Sequence, residues 1–344
     1  MGKSRKVLIF RLSSLGDVVL ASRALDLIPG NTQVDWVVGR PSSFLLKNDP
    51  RISKLWIYPP LSSESKKHES WKAFLSELVL QDYDQVIDLH SVWRTWYARL
   101  FFFFHAKKKP IWKVLTKERL KRLAYILFKG KTPTRYRPTL YRDRVEQFIF
   151  ASLPGARLPK FEKRDRVLQN RIAIAPGSAW PGKQWPESHW IELLKRSGDW
   201  ARGKSILLVG RSSEPIVGQI LRFAQKASIP LELILDCQDR DKLADAIRTC
   251  EYLICNDSFI AHFSEKSGVP VVMLFGPTRK DFGFGPFLDA SSAVESPVGC
   301  APCGKDGTNC YYSGDKRHFC QKVLTPDLLI DQLKRRKTPL GLVP

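Results

Sequence analysis

The sequence of 344 residues lacks the patterns that mark several common classes of protein. No stretch reaches the roughly 20 consecutive apolar residues that a transmembrane helix needs. Residues 1–6 have no apolar core of the kind found in signal peptides, so we expect a cytoplasmic protein. Neither a Gly-x-Gly-x-x-Gly motif nor a Walker loop is present. This removes the main sequence support for a nicotinamide-dependent enzyme or a phosphate-loop ATPase.

Acidic side chains are also scarce. The chain has 34 Asp and Glu against 56 Lys and Arg, which gives a net charge of +22 at pH 7. Such an excess indicates an anionic partner, which could be nucleic acid, a phosphorylated lipid or a nucleotide. Because no helix-turn-helix, RNP or zinc-finger pattern accompanies the charge, nucleic acid is the disfavoured partner.

Short apolar runs alternate with helical segments along most of the chain, which is typical of α/β domains with doubly wound parallel sheets. The predicted strands are residues 7–12, 34–38, 55–58, 86–89, 172–175, 205–209, 231–235, 252–255 and 271–275. Residues 154–166 are rich in proline and charge and form the best linker candidate. We therefore predict an N-terminal domain of residues 1–165 and a C-terminal domain of residues 166–344, whose final helix near 326–335 could pack back on the first domain.

Polar residues cluster where predicted strands end and helices begin. Asp17 stands at a helix start, and spacing alone favours a capping role over catalysis. Ser178 and Lys183 lie in a loop before a helix whose first amide groups favour anions, so a phosphate would fit there. An ordinary loop with a solvated lysine is equally compatible with that pattern. Arg94 also follows a strand, and without further support it is best interpreted as a surface arginine.

The stretch from Lys107 to Arg137 is strongly basic, with twelve Lys and Arg and one acidic residue, Glu118. Apolar residues are interleaved, and an aromatic run that includes Trp93, Trp96 and residues 101–104 precedes it. Such a segment suits anionic lipid headgroups, although a solvated basic face on ordinary helices is an equal alternative.

Four of the seven cysteines, Cys300, Cys303, Cys310 and Cys320, form a cluster in the sequence. Four thiolates could close a tetrahedral structural zinc site, and the first pair has ligand spacing. Disulfides and free thiols remain open as alternatives. In every case we expect a structural role.

Five ordered motifs resemble those of glycosyltransferase family 9, the lipopolysaccharide heptosyltransferases. They are Arg11-Leu12-Ser13-Ser14-Leu15-Gly16-Asp17-Val18, Pro176-Gly177-Ser178 with Lys183-x-Trp185-Pro186, Gly210-x-x-x-Glu214, Asn256-Asp257-Ser258 with His262, and Gly276-Pro277-Thr278. The resemblance implies a GT-B architecture, in which two Rossmann-like domains face each other across a cleft. It also implies an inverting transfer that needs no cofactor, from ADP-heptose to the lipopolysaccharide inner core, by a peripheral protein on the inner face of the inner membrane.

The resemblance assigns roles to individual residues. Asp17 matches the proposed general base, and the family context favours this role over capping alone. Lys183 matches the diphosphate-binding lysine and shares the catalytic role. The other donor-binding residues implied are Ser178, Glu214, Asp257, Ser258 and His262, and the acceptor-binding residues implied are Ser13, Ser14 and Arg94.

Two places depart from the family pattern, and both belong to the donor side. Phe259 and Phe263 stand where the family commonly has glycine and leucine, and residues 238–241 replace a Gly-Lys-Thr-like turn. A phenylalanine beside the donor pocket would change its shape. Transfer of another nucleotide sugar, or to another glycan, is therefore the alternative activity. From another class, the alternative is a non-catalytic protein that binds lipid or nucleic acid through its basic face.

Overall fold

The computed structural model describes residues 5–58, 67–158 and 166–335, with the backbone alone for residues 67–70. The chain divides into two compact units, Met1–Lys117 with Tyr141–Glu162, and Glu118–Leu140 with Lys163–Pro344. Each unit contains one parallel sheet with helices, as the alternating pattern predicted. The expected boundary between residues 165 and 166 adjoins residues 159–165, outside the described residues, and stays a prediction.

The first sheet has five parallel strands in the order β3-β2-β1-β4-β5. They are β1 (Lys6–Phe10), β2 (Gln33–Gly39), β3 (Lys54–Tyr58), β4 (Gln85–Asp88) and β5 (Ile111–Val114). The first four confirm the predicted strands to within about two residues at each end. The edge strand β5 was missed, because Ile-Trp-Lys-Val is short and lies within the basic stretch.

The helices of the first unit are α1 (Leu15–Ala21), α2 (Arg23–Leu27), α3 (Lys67–Val79), α4 (Trp93–His105) and, after α5 (Arg119–Leu127) of the second unit, α6 (Tyr141–Ser152), with a 3-10 helix at Arg40–Leu45. The spacing of Val18, Ala21, Leu25 and Ile28 predicts one helix that begins near Asp17 and continues to about Ile28. The structure instead separates α1 from α2 at Ser22, whose hydroxyl donates to the carbonyl of Val19 at 2.6 Å and so competes with the helical backbone bonds.

The second sheet has six parallel strands in the order β11-β10-β9-β6-β7-β8. They are β6 (Arg171–Ala175), β7 (Ser205–Gly210), β8 (Leu231–Leu235), β9 (Cys250–Asn256), β10 (Val271–Phe275) and β11 (Ser292–Glu295). Five of these confirm predicted strands, and the short edge strand β11 was missed. Strand β10 could be predicted because all its residues are apolar. A parallel strand that is covered on both faces does not need alternating polar and apolar residues.

The remaining helices of the second unit are α7 (Glu187–Lys195), α8 (Ser197–Trp200), α9 (Pro215–Lys226), α10 (Arg240–Arg248), α11 (Phe259–Lys266), α12 (Phe319–Lys322) and α13 (Pro326–Arg335), with 3-10 helices at Thr134–Tyr136, Pro181–Lys183, Lys280–Phe282 and Gly314–Lys316. The final helix α13 has the predicted bounds. It packs on α7, α8 and β11, and Leu329, Ile330 and Leu333 join the core of the second unit. None of the helices in the described ranges has the length and apolar composition that a membrane span requires.

Candidate active site

Each sheet changes its winding direction at one pair of neighbouring strands, β1 with β4 and β6 with β9. Ligands of doubly wound folds bind outside the carboxyl ends of such strands. Eight of the predicted site residues follow these four strands: Ser13, Ser14, Asp17, Arg94, Ser178, Lys183, Asp257 and Ser258. Topology thus gathers them into one group within each unit.

Asp17 lies in the first turn of α1, where its carboxylate caps the helix. Its Oδ2 accepts hydrogen bonds from the backbone N–H of Ser14 at 3.2 Å and from Ser14 Oγ at 2.8 Å. The same oxygen lies 2.7 Å from Nη2 of Arg11. The capping role predicted from spacing is confirmed. Because one oxygen faces three donors, the carboxylate has a fixed orientation beyond the end of β1. Ser13 is exposed beside it.

Arg11 connects Asp17 to two further elements of the first unit. Its Nη1 donates to the carbonyl of Leu89 at 2.7 Å and to the hydroxyl of Tyr141 at 3.0 Å. That hydroxyl donates to the same carbonyl at 2.8 Å. Leu89 follows β4 and Tyr141 begins α6. Two different elements therefore fix the position of the buried guanidinium that contacts Asp17.

His90 and Arg94 extend this charged region after β4. Burial lowers the pKa of His90 to about 3, with contributions in the same direction from the positive charges of Arg11, Lys117 and Arg94 and an opposing one from Asp17. The imidazole is therefore neutral at pH 7. These charged groups share the neighbourhood of His90 with Asp88, whose Oδ1 accepts hydrogen bonds from the backbone N–H groups of His90 and Ser91 at 2.8 Å.

Lys183 ends the 3-10 helix that follows β6 in the second unit. Its Nζ donates to Oδ2 of Asp257 at 2.6 Å, and both side chains are largely buried. The hydroxyl of Thr278, after β10, donates to the same oxygen at 2.8 Å. The ion pair thus holds the ammonium at a fixed point where water is partly excluded.

Asn256 fixes the backbone around Lys183. Its side-chain oxygen accepts a hydrogen bond from the N–H of Trp185 at 3.1 Å, and its Nδ2 donates to the carbonyl of Pro176 at 2.7 Å. The indole of Trp185, fully buried, donates to the carbonyl of Leu324 at 2.6 Å. The loop that carries Lys183 is therefore tied at both ends to the core of the second unit.

Glu214 is the N-cap of α9 and packs directly on Gly177. A Cβ added at Gly177 would lie 2.3 Å from Oε2 of Glu214, so only glycine permits this approach. The same oxygen accepts a hydrogen bond from the N–H of Arg211 at 3.2 Å. This contact brings Glu214 beside the loop of Ser178, whose hydroxyl is engaged with the backbone of Trp180 at 3.1 and 3.3 Å.

Ser258 is the N-cap of α11, and its buried hydroxyl has no hydrogen-bond partner among the described residues. An unsatisfied buried hydroxyl is costly, which is consistent with a ligand supplying its partner. His262 lies one turn later and is buried, with its ring 6.5 Å from that of Phe284. Of the two departures on this helix, Phe263 is buried and Phe259 half-buried. In residues 238–241, the side chain of Asp239 caps α10.

The four clustered cysteines are electrostatic neighbours. Burial raises the pKa of Cys320 to about 12, and the other three cysteines add to the effect; burial also raises the pKa of Cys303. All seven cysteines are free thiols. In the described ranges no group of three or more His, Cys, Asp or Glu side chains is arranged to hold a metal ion. A zinc site would require these side chains to rearrange, and it stays a prediction.

The cysteine segment packs on the loop of Lys183. A Cβ added at Gly182 would lie 2.9 Å from the carbonyl oxygen of Gly307, and Nε2 of Gln321 donates to the carbonyl of Gly182 at 3.1 Å. Burial opposes ionisation of Asp306, but hydrogen bonds from Thr308 and the charge of Lys183 leave its pKa lowered. The segment therefore supports the loop that carries Lys183.

Residues 151–311 match the model of glycosyltransferase family 9 (heptosyltransferase). The chain is 26% identical over 323 residues to lipopolysaccharide heptosyltransferase 1 of Pseudomonas aeruginosa, a match that covers 87% of this chain and 86% of that protein. It is 26% identical over 131 residues to lipooligosaccharide heptosyltransferase 2 of Campylobacter jejuni, covering 38% of this chain and only 40% of that protein.

Solved structures share the fold at low identity. The glycosyltransferase of family 9 from Veillonella parvula gives a TM-score of 0.67 at 17% identity and covers 96% of both chains. The E. coli heptosyltransferase WaaC with ADP gives a TM-score of 0.66 at 17% identity, covering 96% of this chain and 100% of that one. E. coli ADP-heptose heptosyltransferase II gives 0.65 at 18%, covering 96% and 97%.

The fold and the matches define a glycosyltransferase with the GT-B architecture. The family-model match and the heptosyltransferase relatives confirm the resemblance to glycosyltransferase family 9 that was found in the sequence motifs.

Sequence reasoning missed four polar residues that the geometry adds to the two sites. Arg11, Asn256 and Thr278 lie within the quoted motifs, where Asn256 ends a strand and the other two follow one, and that position is the signal that could have selected them. Tyr141 offers no such signal, because it reaches Arg11 from a helix 130 residues away.

Proposed function

We propose that this glycosyltransferase transfers heptose from ADP-heptose to the inner core of lipopolysaccharide, with inversion and without a catalytic metal. The observation that carries the proposal is the buried Lys183 ammonium, 2.6 Å from Asp257, at the carboxyl ends of β6 and β9. A nucleoside diphosphate bound there would meet a fixed cation and the first amide groups of α7. WaaC, which shares this fold, was solved with ADP and with ADP-2-deoxy-2-fluoro heptose.

The chemistry is a direct displacement. The acceptor hydroxyl attacks the anomeric carbon on the face opposite the diphosphate, Asp17 takes the hydroxyl proton, and the bond from the anomeric carbon to the diphosphate oxygen breaks with its electron pair on ADP. Lys183 neutralises the charge that develops on that leaving group. The three donors on Oδ2 of Asp17 fix the direction of the base, so it needs no reorganisation during the step.

The donor residues of the second unit suit a nucleotide sugar. Glu214 can accept hydrogen bonds from ribose hydroxyls, and its approach to Gly177 brings it beside the loop that precedes Lys183. The bulk of Phe263 is buried in the core, so this departure does not by itself reshape a donor pocket. The unsatisfied hydroxyl of Ser258 offers a further contact to the donor.

The acceptor side is cationic, which suits the anionic inner core. His90 is neutral there, and Arg94 and Lys117 contribute positive charge near Asp17. We propose that Arg94, Ser13 and Ser14 contact the acceptor. Because that acceptor is anchored in lipid, we further propose a peripheral protein on the cytoplasmic face of the inner membrane.

The experiment is to incubate the purified protein with lipopolysaccharide core acceptor and a panel of nucleotide sugars, and to measure released nucleoside diphosphate. We expect ADP release with ADP-heptose and acceptor together. Asp17→Asn should abolish turnover with donor affinity nearly unchanged, whereas Lys183→Ala should weaken both. Faster turnover of another nucleotide sugar would replace the donor assignment, and near wild-type turnover of Asp17→Asn would overturn the base assignment.

A further inference from the structure

Helix α4 has an apolar face that points to solvent as well as one that is buried. Its inner face, with Ala98, Phe101 and Phe102, packs into the first unit. On the outer face Trp96, Leu100, Phe103 and Phe104 follow the i, i+4, i+7, i+8 spacing of one helical stripe, with exposed fractions of 63%, 38%, 64% and 70%. An apolar stripe of this kind that is exposed to solvent is typical of an interaction site.

A groove of about 450 Å³ lies between α4 and the edge strand β5. Trp96, Leu100, Phe103 and Trp112 line it, and Lys109 and Arg99 belong to the same lining. Nζ of Lys109 lies 5.8 Å from the centroid of the Phe103 ring and donates to the carbonyl of that residue. The apolar surface is therefore combined with basic groups.

We propose that this α4 face is a docking surface for an anionic phospholipid bilayer. Trp and Phe side chains favour the membrane interface, and Arg99, Lys107 and Lys109 supply charges that anionic headgroups would attract, at about 1 kcal/mol for each basic residue near the surface. Residues 93–109 contain no acidic side chain. A second copy of the chain would bring two such positive faces together, and their repulsion favours a bilayer over self-association.

The inference rests on the proposed function only in that a lipid-anchored acceptor would require the enzyme at such a surface. The flotation assay itself needs neither donor nor acceptor. Purified, nuclease-treated protein is floated with vesicles of phosphatidylcholine alone or of equal parts phosphatidylcholine and phosphatidylglycerol. We expect flotation with the anionic vesicles only, and a decrease as salt screens the headgroups.

Two double variants separate the apolar from the basic contribution. Trp96→Ser with Phe103→Ser, and Arg99→Glu with Lys107→Glu, should each lower the floated fraction at least about tenfold, the loss expected from a few such contacts. The controls are the single variants Leu80→Ser, at a leucine that is 74% exposed directly after α3, and Lys226→Glu in the last turn of α9. Both controls should float like the parent protein.

Three outcomes would overturn the proposal. They are no flotation of the parent protein with anionic vesicles, unchanged flotation of both double variants, and a dimer in sedimentation velocity that the Trp96 and Phe103 changes abolish. ADP release with a soluble acceptor is measured on the same samples. If ADP release is retained and flotation is lost, the docking proposal fails while the proposed function stands. If ADP release is lost, the proposed function fails.

Discussion

Nη2 of Arg11 lies 2.7 Å from Oδ2 of Asp17, and both side chains are largely buried. Because Arg11 is itself held by Leu89 and Tyr141, it acts as a positioning residue for the proposed base. We predict that Arg11→Met lowers turnover by about tenfold to a hundredfold with donor affinity unchanged, since a misplaced base costs rate rather than donor contacts.

A pH–rate profile distinguishes this role from a general loss of stability. Without the nearby guanidinium, the acidic limb of the profile should move to higher pH, because the carboxylate loses an opposite charge. Tyr141→Phe should reduce turnover less than Arg11→Met does, since it removes only one of the supports of Arg11. The control is Arg23→Met, which breaks an ion pair with Glu146, at 2.9 Å in the same unit, and should leave the profile unmoved. An unmoved profile in Arg11→Met would contradict the assignment.

Gly177 gives the sharpest test of the donor loop. Its backbone is not in the left-handed region, so Gly177→Ala adds no strain there and acts through the 2.3 Å approach to Glu214. Because the carboxylate must move away, we predict that the Michaelis constant for the donor rises about tenfold while kcat changes little. Gly198→Ala, with no atom within 4 Å of the added Cβ, is the matched control. Adding Glu214→Asp to Gly177→Ala makes room and should recover part of the affinity; equal kinetics for both alanine variants would refute the contact.

His90 should make the stability of the chain depend on pH. Burial holds its pKa near 3, below the ordinary value of 6.5, so the unfolded chain binds a proton that the folded chain does not. The contribution is present above pH 6.5 and is lost as the pH falls toward 3, at up to about 1.4 kcal/mol for each pH unit. Urea unfolding of His90→Gln should show a flatter dependence over this range than the parent protein. His105→Gln, at an exposed histidine, should keep the parent slope.

The strands and the loops that follow them could be predicted from the sequence, because their signal is local. Residues 271–275 form an apolar run that ends before a glycine, and such a run predicts a buried strand followed by a turn. The long-range contacts that hold the site residues in place could not be predicted in this way. Tyr141 meets Arg11, and Gly307 meets Gly182, across 130 and 125 residues respectively, and no spacing in the chain encodes those contacts.

The final prediction concerns the state of the four clustered cysteines. A metal requires thiolates, whereas burial raises the pKa of Cys303 and Cys320 and so favours the neutral thiol in the metal-free arrangement. A thiol count under denaturing conditions and elemental analysis of protein purified without chelator decide between free thiols and a metal site: seven titratable thiols and no stoichiometric metal would show free thiols. The opposite result, about one zinc per chain whose removal by chelator lowers the melting temperature, would establish the tetrahedral site suggested by the spacing. Because Gly307 packs on Gly182 beside Lys183, chelation would then also weaken donor binding, and a donor affinity unaffected by chelator would show that the segment does not act on the loop.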